Sequence, residues 1–148
     1  AQQHRDPRGE VTSFLATAAE TDGRVAIFDS VLEKGRGAPW HYHEIDDEIF
    51  YIVRGQVEFG VANETLVANP GDLVIVGPHV GRRFTALEDS QFITINAPAG
   101  PAEGFLRELM NLDGPPTQED RQRFAKRYKI HLGRPAPSPD TGGKTEPS

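Results

Sequence analysis

Apolar and polar residues alternate in short runs through roughly the first two thirds of the chain, and each run closes on turn residues. Val11 to Thr17 is β-prone, and Glu20-Thr21-Asp22-Gly23 holds the Asp-Gly pair of a tight hairpin turn. Arg24 to Glu33 alternates as a strand until Lys34-Gly35-Arg36-Gly37 breaks it. A further alternation runs from Glu48 to Val53, and Gln56 to Ala62 and Glu64 to Ala68 read as strands around Asn63. Asn69-Pro70-Gly71-Asp72 is the next turn. Leu73-Val74-Ile75-Val76 is a continuous apolar run, which predicts a strand covered on both faces, ended by Gly77-Pro78. Arg83 to Leu87 and Gln91 to Ala97 complete the set around Glu88-Asp89-Ser90. Strands this short and this evenly punctuated predict an all-β domain, an antiparallel barrel or sandwich over residues 11–97.

The period changes after Pro98. Pro98 to Pro101 reads as a breaker, and Glu103 to Asn111 sets Phe105, Leu106, Leu109 and Met110 at helical spacing before Asp113-Gly114-Pro115-Pro116. Thr117 and Asp120 form the pattern of a capping box for a second helix reaching Lys129, with Phe124 and Tyr128 on one face. Both helices are expected outside the barrel. Residues 1–10 are expected to be a flexible terminus, 11–133 one domain, and 134–148, RPAPSPDTGGKTEPS, a disordered tail.

Composition narrows the function classes. The chain has 148 residues, enough for one core, and 15 Gly with 12 Pro favour a turn-rich β fold over a helical bundle. It has no Cys, so thiolate catalysis is excluded and any metal must sit on nitrogen and oxygen. A net charge of −6 argues against general nucleic-acid binding. Arg82-Arg83 and the Arg121–Lys129 segment are the basic clusters, and the second reads as a solvated helix face whose cations suit the helix dipole. No apolar run has the length of a membrane span, and AQQHRDPRGE is too polar for a signal-peptide core. A soluble, cytoplasmic protein without membrane partners is the expectation.

The chemistry concentrates between Gly35 and Gly55, GRGAPWHYHEIDDEIFYIVRG. His41 and His43 alternate on a strand and so share a face, with Trp40 and Tyr42 on the other. Glu48 shares a face with Phe50 and Ile52, and a short bend between the strands brings its carboxylate to both imidazoles. Two His and one carboxylate form a ligand set for a divalent first-row metal. Trp40, Tyr42, Phe50, Phe59, Phe84 and Phe92 are expected to be packing residues, His4 and His131 surface residues, and Asp46 and Asp47 solvated loop charges.

The spacing Gly-x5-His-x-His-x4-Glu-x6-Gly resembles, without a gap, the first motif of the cupin superfamily, G-x5-H-x-H-x3,4-E-x6-G. The AAETDG turn and the Phe-Leu-x-Glu-Leu helix after a Pro-rich turn resemble small single-domain, quercetin-dioxygenase-like cupins over residues 12–133. The resemblance implies an antiparallel β-barrel or jelly roll with a metal inside, held by His41, His43 and Glu48. It implies a homodimer as well, which exposed edge strands also favour. Iron, manganese, nickel, cobalt and zinc all suit the set, and the metal's identity stays open.

The second motif, G-x5-P-x-G-x2-H-x3-N, is broken: from Gly71, its Pro falls on Gly77, its Gly on His79 and its ligand His on Arg82. Three arrangements are open. A metal remains on the three ligands with Arg82 behind it, binding an anionic or enolate oxygen; or no metal binds and Arg82 pairs with Glu48; or His79 becomes the fourth ligand. The expected activity is that of a small-molecule enzyme resembling metal-dependent dioxygenases of flavonol, aromatic or polyketide-type substrates, with Glu48 and Arg82 as catalytic residues. The alternatives are a non-oxidative cyclase, isomerase, decarboxylase or lyase of natural-product metabolism, metal-free or not, and a ligand-binding cupin without turnover.

Overall fold

The computed structural model describes residues 10–136 and the backbone of residues 2–5. The strands are β1 (Gln2–Arg5), β2 (Val11–Ala16), β3 (Ala26–Leu32), β4 (Gly37–His43), β5 (Asp47–Arg54), β6 (Val57–Val61), β7 (Glu64–Ala68), β8 (Leu73–Val76), β9 (Arg82–Ala86), β10 (Ser90–Ala97) and β11 (Ile130–Leu132). They form a six-stranded sheet in the order β1-β2-β3-β10-β5-β8 and a five-stranded sheet in the order β11-β4-β9-β6-β7. All pairings are antiparallel, and the two sheets enclose the core as the alternation predicts.

Two glycines show why the sheets close where they do. Gly37 lies so near β9 that a Cβ there would stand 1.9 Å from the Phe84 carbonyl oxygen. That close approach seats the start of β4 on β9, and an irregularity between Ala38 and His41 then sets His41 opposite Arg82. Gly55 has φ +86° and faces Ser90 across the turn after β5, where a side chain would be both strained and obstructed. The core between the sheets is built on Phe50, Ile52, Phe59, Phe92 and Val76, with Phe50 and Phe59 ring centroids 5.0 Å apart.

Helix α1 (Gly100–Met110) begins three residues before the predicted start, because Pro101 occupies its first turn, where the missing N–H costs nothing. Helix α2 (Gln118–Tyr128) carries the predicted capping box: Thr117 accepts from the Asp120 backbone N–H, and Asp120 accepts from that of Thr117. Its Arg123 and Arg127 pair with Glu108 of α1 at 2.9 Å, so part of the expected solvated face fastens the two helices together. Phe105 and Phe124 pack edge to face beneath them with Ile130.

Several local expectations change. His131 is half-buried: β11 places it flat against Tyr42, ring centroids 4.5 Å apart, and its Nε2 meets Glu44. Arg134 lies over Trp40 at 4.0 Å and donates to the Ala62 carbonyl, so the chain continues across the barrel wall beyond β11. Gln2–Arg5 pairs with β2, which its polar composition does not announce. Residues 6–9 and 137–148, parts of the expected flexible ends, lie outside the described residues. None of the described helices is long and apolar enough to cross a membrane.

The run Leu73–Val76 is covered on one face only. Val74 and Val76 point inward, while Leu73 and Ile75 are 56% and 64% exposed. They pair with Tyr51 and Ile49 of β5, which makes an apolar outer face at the edge of the six-stranded sheet. A continuous apolar run signals two apolar faces, and a second face awaiting a partner looks identical to one already covered. If the expected homodimer forms, this is the surface suited to it. The wild-type chain is then expected to sediment as a dimer and a Leu73→Glu, Ile75→Glu double variant as a monomer; a monomeric wild type at working concentration would rule the dimer out.

Candidate metal centre

His41 and His43 alternate on β4 and both point inward, 9% and 2% exposed, with ring centroids 5.6 Å apart. Glu48, second residue of β5, approaches from the other sheet and is 8% exposed. One ligand atom from each residue lies within 4.8 Å of the others, so the three could hold a metal ion. The sequence spacing thus becomes one site because the bend at residues 44–46 carries the chain from one sheet to the other.

Both imidazoles are oriented by acceptors behind them. His41 Nδ1 donates to the Pro39 carbonyl at 2.8 Å, and His43 Nδ1 donates to the Asp46 carboxylate at 2.9 Å. Carbonyls and carboxylates only accept, which places a ring hydrogen on each Nδ1 and leaves each Nε2 for the site. Burial lowers His41 from 6.5 to about 4, with the Glu48 charge offsetting part of the effect. His41 is therefore neutral at pH 7, the form that binds a metal.

Glu48 is gripped at both oxygens. Arg82 Nη1 donates to Oε1 at 2.8 Å, and Asn96 Nδ2 donates to Oε2 at 3.1 Å and to Asp46 Oδ2 at 2.7 Å. Burial alone would raise its pKa, but the charges of His43 and Arg82 outweigh it and hold Glu48 at about 2, against an ordinary 4.5. Arg82 is 0% exposed, and its Nη2 donates to the Gly77 and Val80 carbonyls. It pairs with Glu48, as in the second of the arrangements open from sequence, yet it leaves the three ligand atoms together. His79 sits outside, in a turn with φ 65°, beside Trp40 on a surface groove, so it does not join the three ligand residues.

Above the site lies a cavity of about 330 Å³, reached by His41, His43, Glu48 and Asn96 at its polar end. Phe28, Phe50, Phe84 and Phe92 form much of the wall, and α1 contributes Phe105, Leu106 and Leu109. Arg82 is absent from that wall, which makes it a support for Glu48 rather than a surface for an anionic substrate. Asp46 requires a correction: it is 1% exposed and bridges His43 and Asn96, whereas Asp47 is exposed as expected. A carboxylate three residues after a strand histidine can fold back onto it, and that spacing was the available signal. Asn96 and Thr94 were signalled by β10 itself, where they share the inward face with Phe92 while Ile93 and Ile95 take the outer one.

Two predictions follow from the charges. Between about pH 6.5 and 4 the unfolded chain takes up a proton at His41 that the folded chain refuses, and between about pH 4.5 and 2 the same holds at Glu48. Stability is therefore full above about pH 6.5 and falls through the two windows in turn, each contributing on the order of 3 kcal/mol. Denaturant midpoints of metal-free protein are expected to drop steadily on acidification from neutral pH, and constant midpoints down to about pH 4 would contradict the assignment. Arg82→Ala is expected to cost roughly 3–5 kcal/mol by leaving a buried carboxylate without its cation, measured by the same denaturation.

Comparison with known proteins agrees with this architecture. Residues 28–97 match the family described as Cupin domain. Acireductone dioxygenase of Bacillus pumilus is 36% identical over 59 residues, which are 36% of this chain and 34% of that protein. Quercetin 2,3-dioxygenase of Bacillus subtilis is 33% identical over 63 residues, 43% of this chain and 19% of that protein. The matched stretches thus span about a third and about a fifth of these curated relatives. Among solved structures, an RmlC-like cupin from Shewanella frigidimarina superposes with a TM-score of 0.62 at 20% identity, covering 69% of this chain and 87% of that one. With the first motif intact and the two antiparallel sheets closed around His41, His43 and Glu48, the matched stretch, residues 28–97, is a cupin domain.

Proposed function

We propose that the chain is a metal-dependent enzyme of the dioxygenase type, acting on a small organic molecule held in the barrel cavity. One observation carries the reading: one ligand atom from each of two imidazoles and an ionised carboxylate converge within 4.8 Å at the polar end of an aromatic-walled cavity. The neutral imidazole of His41 and the charged carboxylate of Glu48 are in the protonation states that metal ligands require. The set suits Fe(II) and its first-row neighbours. The two curated relatives, both dioxygenases by name, support oxidation over other chemistries.

When bound, the metal would supply Lewis-acid and redox chemistry at that point. The chain's own residues prepare it. Asp46 fixes the ring of His43, while Arg82 and Asn96 fix the carboxylate of Glu48. A carboxyl group held at about 2 is a weak proton acceptor, so Glu48 serves better as ligand than as general base. The phenylalanines and α1 give the cavity beside these groups a largely apolar lining.

A second reading is favoured by the Arg82–Glu48 ion pair, which lets the site hold together with no metal at all. In that case the cavity would serve a non-oxidative cyclase, isomerase, decarboxylase or lyase. Metal analysis of protein purified without chelator or affinity-tag nickel separates the two. Bound metal is expected, and His41→Ala or His43→Ala should each lower its occupancy by at least about tenfold, because two ligands hold a divalent ion poorly. Arg82→His is expected to tighten metal binding by adding a ligand. Protein that neither contains metal nor takes up Fe, Mn, Ni, Co or Zn would move the assignment to the second reading.

A further inference from the structure

Three polar groups on the inward face of the six-stranded sheet have no partner. Ser30 on β3 and Thr94 on β10 are 5% and 6% exposed and line the cavity, yet their hydroxyls make no hydrogen bond among the described residues. Asn96 is 1% exposed; its Nδ2 is occupied between Asp46 and Glu48, and its Oδ1 is buried with no donor. The amide orientation is fixed, because only the NH2 group can face two carboxylates.

The strand register puts these groups in a row. Asn96 opposes Glu48 on β5; Thr94, two residues before it on the same face, opposes Phe50 and Phe28; Ser30 opposes Phe92 and lies diagonal to Thr94. The row begins at the candidate ligand Glu48 and runs away from it along one wall. Phe84 of the facing sheet and Phe105 and Leu109 of α1 contribute apolar surface to the same cavity. Buried groups capable of hydrogen bonding are ordinarily paired, and the Ser30 and Thr94 hydroxyls, set among Phe28, Phe50 and Phe92 on the cavity wall, match a ligand that pairs them, while Asn96 Oδ1 is enclosed behind them.

We propose that Ser30 and Thr94 are specificity-determining residues whose hydroxyls read one hydroxylated or N–H-bearing edge of a mainly apolar substrate, while Asn96 beside them holds the carboxylates of Asp46 and Glu48. The proposal rests on the reading of this cavity as the substrate site and is independent of the metal. Each hydroxyl can donate and accept, so an edge that does both pairs best, an edge offering an acceptor alone pairs less fully, and a hydrocarbon leaves both hydroxyls unpaired.

The test is equilibrium binding of p-cresol, p-methylanisole and p-xylene to the full chain, freed of metal by chelator and followed by protein NMR. These probes share a ring and differ at one substituent: donor and acceptor, acceptor only, or neither. The p-cresol complex is expected to be at least about tenfold tighter than that of p-xylene, with p-methylanisole between the two. Thr94→Val and Ser30→Ala, which conserve shape and spare the ligand residues, should each reduce that preference by about threefold or more and leave p-xylene binding unchanged. Equal binding of the three probes, a preference untouched by both substitutions, or no binding of any probe would overturn the proposal. A preference appearing only after Mn(II) is added would also overturn it, because the metal would then be reading the hydroxyl. Failure of metal uptake with the preference intact would remove the metal assignment alone.

Discussion

A charged carboxylate inside a small β-barrel must be compensated, and the interior of this protein is arranged around that requirement. Glu48 receives Arg82 on one oxygen and Asn96 on the other, and Asn96 in turn ties it to Asp46 and so to His43. Four strands and one bend contribute to one connected set of hydrogen bonds. Removing any single partner would leave charge or polarity stranded where water cannot repair it, which makes the arrangement specific as well as cohesive.

The same set explains how the chain tolerates losing the fourth histidine of the cupin pattern. Arg82 stands at that position, and the opposition of β4 and β9 brings it beside His41. From there its guanidinium turns to Glu48 and to two backbone carbonyls, away from the cavity. The result is a three-residue candidate ligand set with a permanent cation behind it, whose ion pair neutralises the carboxylate.

The outer surface of the six-stranded sheet and its inner surface have exchanged their usual characters near the site. On β10 the isoleucines face outward and Thr94 and Asn96 face inward; on β8 Leu73 and Ile75 face outward. Polar residues gather where a ligand can pair them, and apolar residues gather where another surface can cover them. Helix α1 completes the interior by closing one side of the cavity with Phe105, Leu106 and Leu109, a role beyond the packing that its apolar spacing indicates.

Local chemistry alone determined a good deal of this protein. Strand alternation and turn residues specify the antiparallel barrel; His41, His43 and Glu48 are legible because a period of two puts the histidines on one face and one short bend brings the carboxylate over; Thr117 and Asp120 cap α2 by contacts within a single turn. What only the tertiary structure decided depends on pairs far apart in the chain. Arg82 with Glu48, Asn96 with Asp46, and α1 against the cavity are fixed by which strand lies beside which, and periodicity carries no information about that order. Nor could it tell a strand buried on both faces from one apolar on both faces and covered on one, since Leu73–Val76 reads the same in either setting. Residues whose partners are near in sequence were visible from the start, and those whose partners arrive through sheet register became visible only when the sheets closed.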